Sequence, residues 1–77
     1  MSVSQADPAV LQTLSELWEE VLEVDGVTAD DDFFELGGDS LLGVTMIGKA
    51  RHAGLSFSYQ DLRDNPVLGR LAAVVAG

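Results

Sequence analysis

The sequence predicts an all-α fold, a small four-helix bundle of three main helices and one short helix with a long first loop. Three observations carry this expectation. Apolar residues recur at helical spacing in three separate segments. Helix-start and helix-stop residues stand at the ends of those segments. No segment alternates long enough to pair as a strand; "LSFSY", Leu55 to Tyr59, alternates but is too short and isolated.

The elements follow in order. Asp7-Pro8 is a helix-start signal, with Asp as the N-cap and Pro at the first helical position. Val10, Leu11, Leu14, Leu17, Trp18, Val21 and Leu22 then form one broad apolar stripe. Glu16, Glu19, Glu20 and Glu23 fall mostly on the other face. The first helix is expected over 8–24, ended by Gly26, with residues 1–7 as a flexible leader. Residues 25–39, "DGVTADDDFFELGGD", show no sustained period and form a long loop. Its packing points are Val27, Phe33, Phe34 and Leu36.

Asp39 or Ser40 caps a second helix, expected over 40–53 and closed by Gly54. With about 100° per residue, Leu42, Met46, Ile47, Ala50 and Ala53 share a face toward the core. Leu41 and Val44 lie off it, nearer Ser40. "SYQD", Ser58 to Asp61, reads as a capping box for a short helical turn through Leu62. Asn65-Pro66 opens the last helix, expected over 66–76 with the stripe Val67, Leu68, Leu71, Val74 and Val75. The expected core is Leu14, Trp18, Val21, Leu22, Phe34, Leu42, Met46, Leu71 and Val75.

Length and composition narrow the function. The 77 residues make a single domain, 1–77, too small to hold easily both a core and a deep water-excluding active site. There is no cysteine, so neither a disulfide framework nor a thiolate metal site. Thirteen acidic residues against four basic ones give a net charge of -9. Phosphate-backbone binding needs Lys and Arg clusters, so nucleic acid is not an expected partner, whereas basic protein surfaces are. No apolar run approaches the roughly 20 residues of a membrane span. The N-terminus "MSVSQADPAV" lacks the basic and apolar regions of a signal peptide. A cytoplasmic monomer is expected, and Met1 with its short polar leader favours a free-standing protein.

The remaining signal is "FFELGGDSLLG", Phe33 to Gly43. A nucleophilic serine needs a base in reach and an oxyanion site. Gly38-Asp39-Ser40-Leu41-Leu42 lacks the second glycine of a G-x-S-x-G elbow, and the single His52 stands far along the same helix. Calcium-loop spacing fails from Asp25, which puts Val27 at a ligand position, and from Asp30, which puts Phe34 at one. Asp30-Asp31-Asp32 therefore reads as a turn or cap. A plain N-cap role would explain a serine at a helix start. It would leave unexplained the pair Gly37-Gly38 and the surplus apolar residues Leu41 and Val44. Serine, exposed bend and apolar flank together favour a handle read by other proteins.

At "DDFFELGGDSLL" the chain resembles the phosphopantetheine-dependent carrier proteins. Their D-S-L around the attachment serine is matched by Asp39-Ser40-Leu41. The fuller F-F-x-L-G-G-[HD]-S-[LI] of peptidyl carrier (thiolation) domains of nonribosomal peptide synthetases is matched by residues 33–41. Acyl carriers of fatty-acid and polyketide synthesis more often have a single glycine before the D-S-L. Many peptidyl carriers have His where this chain has Asp39. The resemblance covers about residues 10–76.

It implies an acyl-carrier-protein-like fold and a non-catalytic protein. A phosphopantetheinyl transferase, with coenzyme A and Mg²⁺, would attach 4'-phosphopantetheine covalently to Ser40. An adenylation enzyme would load an amino or aryl acid as a thioester, and condensation, tailoring or thioesterase enzymes would use it. Gly37, Gly38, Asp39 and Leu41 would form the motif the transferase recognises. Leu41, Val44 and Gly48 would face docking partners. The alternatives are an acyl carrier of polyketide or fatty-acid synthesis, and a small helical interaction module whose serine is never modified.

Overall fold

The computed structural model describes residues 7–76; the expected leader, apart from Asp7, lies outside them. The helices are α1 (Pro8–Leu22), α2 (Ser40–His52), α3 (Tyr59–Asp64) and α4 (Leu68–Ala76). The described residues contain no strand, only an antiparallel bridge between Asp32 and Val67. Helix α1 packs against both α2 and α4, and the short α3 lies between those two. The all-helical architecture agrees with the sequence reading.

The ends of the helices show where local signals were overruled. Asp7 accepts a hydrogen bond from the Ala9 N–H at 2.9 Å and Pro8 opens α1, as expected. The helix then stops at Leu22 rather than 24. Glu23 enters the left-handed region at φ 58°, and its N–H turns back to the Glu19 carbonyl. Gly26, at φ 75°, bends the loop further on instead of closing the helix. Helix α2 ends at His52 with Ala53 as its cap and Gly54 at φ 90° beyond. Helix α3 runs past Leu62 to Asp64 behind the expected capping box of Ser58 and Asp61.

Helix α4 begins at Leu68 rather than 66, because Pro66 and Val67 are taken up by the long loop. The Phe33 N–H donates to the Pro66 carbonyl at 2.9 Å, and Val67 forms the bridge with Asp32. The first amides of α4 are satisfied by the same loop. Leu68 and Gly69 donate to the carbonyls of Asp31 and Ala29, each at 2.9 Å. The loop thus serves as the N-terminal cap of the last helix.

The core is Leu14, Trp18, Phe33, Met46, Ala50, Phe57, Leu62, Leu68, Leu71 and Ala72. Val21, Leu22, Leu42 and Val75 pack against it half-buried. One aromatic is exchanged relative to expectation. Phe33 takes the central place and Phe34 is only half-buried. Asp32 sets this orientation: its Oδ1 accepts the N–H groups of Phe34 at 2.9 Å and Glu35 at 3.1 Å, winding the following residues into a tight turn. Phe33 then meets Trp18 edge-on, with centroids 5.1 Å apart. Such a pair contributes about 0.5–1.5 kcal/mol beyond its burial. Ala53 and Val74, placed on apolar faces from the sequence, are exposed. Ala53 lies past the end of α2, and Val74, on α4, is 42% exposed.

Candidate functional site

The turn that buries Phe33 also delivers the chain to α2. Leu36, Gly37 and Gly38 donate back to the carbonyls of Asp32, Phe34 and Phe33 at 3.0, 3.2 and 3.0 Å. Gly37 adopts φ 109°, a conformation that side-chain-bearing residues rarely take. Gly38 is required for a different reason. A Cβ there would stand 2.4 Å from the Phe33 ring and 2.7 Å from its carbonyl oxygen. The paired glycines therefore join a core aromatic directly to the start of a helix.

Asp39 is the N-cap of α2. Its Oδ1 accepts the Leu42 N–H at 2.9 Å, and its carbonyl accepts the Gly43 N–H at 2.8 Å. The sequence left Asp39 and Ser40 as alternative caps, and the geometry assigns the cap to Asp39. Ser40 is then the first helical residue, exposed, with its hydroxyl not spent on capping. Its Oγ lies 3.2 Å from the phenol oxygen of Tyr59, at the start of α3.

Around Ser40 the surface is apolar and open. Leu41 is 74% exposed and Val44 59% exposed. Gly48, on the same helix, faces open space. The basic residues of α2, Lys49, Arg51 and His52, sit in its last turn, at the end away from Ser40. Among the described residues no helix is long and apolar enough to cross a membrane, and no acidic or histidine cluster could hold a metal ion. Asp31 and Asp32 instead accept backbone N–H groups within their own turns.

Two residues of this region escaped the sequence reading. Tyr59 was visible only as part of a capping box, and nineteen positions separate it from its partner Ser40. A glycine in the middle of a helix costs about 1 kcal/mol relative to alanine, and Gly43 stands within α2. It is buried, and a Cβ there would lie 3.0 Å from the Tyr59 ring and 3.1 Å from Leu62. With no Cβ at Gly43, Tyr59 and Leu62 of α3 pack against α2 without having to shift by a few tenths of an ångström.

A serine hydroxyl presented at a helix N-terminus suits a phosphate ester, because the helix dipole and unpaired first-turn N–H groups favour an anion there. Comparison with known proteins agrees. The model of the family described as "Phosphopantetheine attachment site" matches residues 12–75. A solved nonribosomal PCP domain superposes with a TM-score of 0.83 at 40% identity, over 94% of each chain. A structure of the phosphopantetheine transferase Sfp with coenzyme A and a peptidyl carrier protein contains a chain matching with a TM-score of 0.81 at 32% identity, over 91% of this chain and 92% of that one. Malpibaldin synthetase of Mortierella alpina is 51% identical over 61 residues, which are 79% of this chain and 1% of that protein. The chain thus spans about a hundredth of the length of the curated relatives it matches.

The chain belongs to the phosphopantetheine-attachment family of carrier proteins. Within it, the chain is a carrier of the peptidyl, nonribosomal kind. The group this family carries is phosphopantetheine.

Proposed function

We propose that Ser40 is the residue that bears the phosphopantetheine, and that the chain carries aminoacyl, aryl or peptidyl groups between the enzymes of a nonribosomal or related biosynthetic system. One observation carries the assignment: Asp39 takes the cap, so Ser40 presents an exposed hydroxyl at the head of α2. In the transferase complex the Ser40 Oγ attacks the β-phosphorus of coenzyme A. The Oγ–P bond forms, the pyrophosphate P–O bond breaks, and adenosine bisphosphate leaves with the electron pair. The serine proton passes to a base of the transferase or to solvent. The bound group supplies the thiol that this cysteine-free chain lacks, on which a cargo is held as a thioester.

The remaining roles fall to side chains already placed. Asp39 uses Oδ1 for the cap, and its carboxylate would help orient Mg²⁺ when the transferase is bound. Gly37 and Gly38 hold the bend that the transferase reads, with Leu41 beside it. Leu41 and Val44 dock into apolar grooves of the transferase, an adenylation enzyme, and condensation, tailoring or thioesterase partners in turn. Gly48 leaves room for a partner side chain. A few apolar anchors on a strongly acidic chain suit contacts that must release. The carrier works as a monomer in the cytoplasm, where coenzyme A is at hand.

The test is intact mass after incubation with coenzyme A, Mg²⁺ and a promiscuous phosphopantetheinyl transferase, with Ser40→Ala alongside. One phosphopantetheine increment on the wild type, absent from the variant, is the expected result. No increment on a folded sample, or an equal one on Ser40→Ala, would overturn the assignment.

A further inference from the structure

We propose that Tyr59 is a positioning residue for the modified serine. Its phenol hydroxyl donates a hydrogen bond to the phosphodiester at Ser40 and holds the base of the arm beside α3. This rests on Ser40 being the attachment residue.

The placement of Tyr59 is built from both sides. The capping box of Ser58 and Asp61 sets the start of α3, with the Asp61 N–H donating to Ser58 Oγ at 3.1 Å and the Ser58 N–H donating to Asp61 Oδ2 at 3.0 Å. Leu62, one turn on, is fully buried and anchors the helix. Gly43 clears the surface of α2 so that the Tyr59 ring lies against it. The phenol oxygen then reaches Ser40 Oγ at 3.2 Å, a contact between two helices made by a half-buried ring.

The chemistry of the pair is asymmetric once Ser40 is modified. Before modification either hydroxyl can donate. Forming the ester removes the serine proton, so only Tyr59 can still donate. The acceptor side gains a negative charge at the same time, and hydrogen bonds to charged acceptors are about twice as strong as neutral ones. The cationic side chains of α2 stand at its far end. Tyr59 is the neutral donor placed by the fold at the atom that becomes esterified.

The experiment compares apo and holo forms of the wild type and of Tyr59→Phe, which keeps the ring against Gly43. The chain has one tyrosine, so its ring and hydroxyl signals are identified without ambiguity. The holo protein has a single phosphorus. The expected result has two parts. In the wild type, exchange of the Tyr59 hydroxyl proton with water slows severalfold on modification. The phosphorus-31 resonance of holo Tyr59→Phe is displaced from that of the holo wild type, with an unchanged thermal midpoint. Hydroxyl exchange that is the same in apo and holo wild type, or a coincident phosphorus signal in the two holo proteins, would overturn the inference while leaving Ser40 as the modified residue. Mass spectra of the same samples test that reading independently, since failure of the wild type to gain the increment overturns both.

Discussion

Gly38 and Gly48 look alike in the sequence and act in opposite ways. Gly38 sits against the Phe33 ring, so Gly38→Ala pushes a methyl group into a buried aromatic. Urea unfolding should show a loss of about 1–3 kcal/mol, the usual range for overpacking. Gly48 faces open space in the middle of α2. Gly48→Ala should raise stability by up to about 1 kcal/mol through helix propensity alone. If the open space at Gly48 serves a partner, the same variant will be modified or loaded more slowly despite being more stable. Unchanged kinetics would remove Gly48 from the docking surface.

Among the helices, the cap of α2 is the element whose chemistry and structure overlap. Asp39 holds the first turn through Oδ1, and in the proposed function its charge also serves the transferase. Two variants separate these roles. Asp39→Asn retains a good cap and removes the charge; Asp39→Ala removes both. Thermal unfolding should be near wild type for Asn and about 1 kcal/mol lower for Ala. Modification should slow in both. A normal rate in Asp39→Asn would confine the residue to capping. The end of α1 offers a test of backbone strain. Glu23 holds a left-handed φ of 58°, which disfavours side-chain-bearing residues by about 1 kcal/mol. Glu23→Gly should therefore stabilise the domain, read as a higher urea midpoint.

At the scale of the whole molecule, a single aromatic cluster under the long loop joins core to site. Phe33 contacts Trp18 and Phe34 edge-on and lies under Gly38. Phe33→Ala should cost about 3–5 kcal/mol. That is comparable to the entire stability of a domain this size, so far-ultraviolet circular dichroism at room temperature should show substantial unfolding. Charge acts at the same scale. A net charge of -9 repels itself in the folded state. The exposed pair of Lys49 and Glu20, 3.3 Å apart, offsets little of that. Thermal midpoints should rise from low salt toward about 0.15 M, where screening acts over roughly 8 Å. A midpoint independent of salt would show that the acidic surface is already spaced to avoid repulsion.

Much of this protein was legible from local order along the chain. Helical period, Asp7-Pro8, the Ser58–Asp61 capping box and the glycine closing α2 are short-range signals, and each reappears in the structure. The motif around Ser40 is equally local, a bend and a helix start written in consecutive residues. What the sequence left open depended on contacts between distant segments. Whether Phe33 or Phe34 enters the core was decided by a turn whose hydrogen bonds close through Asp32 and whose backbone is tied to Pro66. Where α4 begins was decided by that same loop, which uses Pro66 and Val67 before the helix can. The reason for Gly43 and the meeting of Ser40 with Tyr59 exist only once α3 lies on α2. Caps and periodicity are properties of a few neighbouring residues, so a sequence determines them by itself. A contact across nineteen residues depends on how separate helices pack, and only the folded chain decides it.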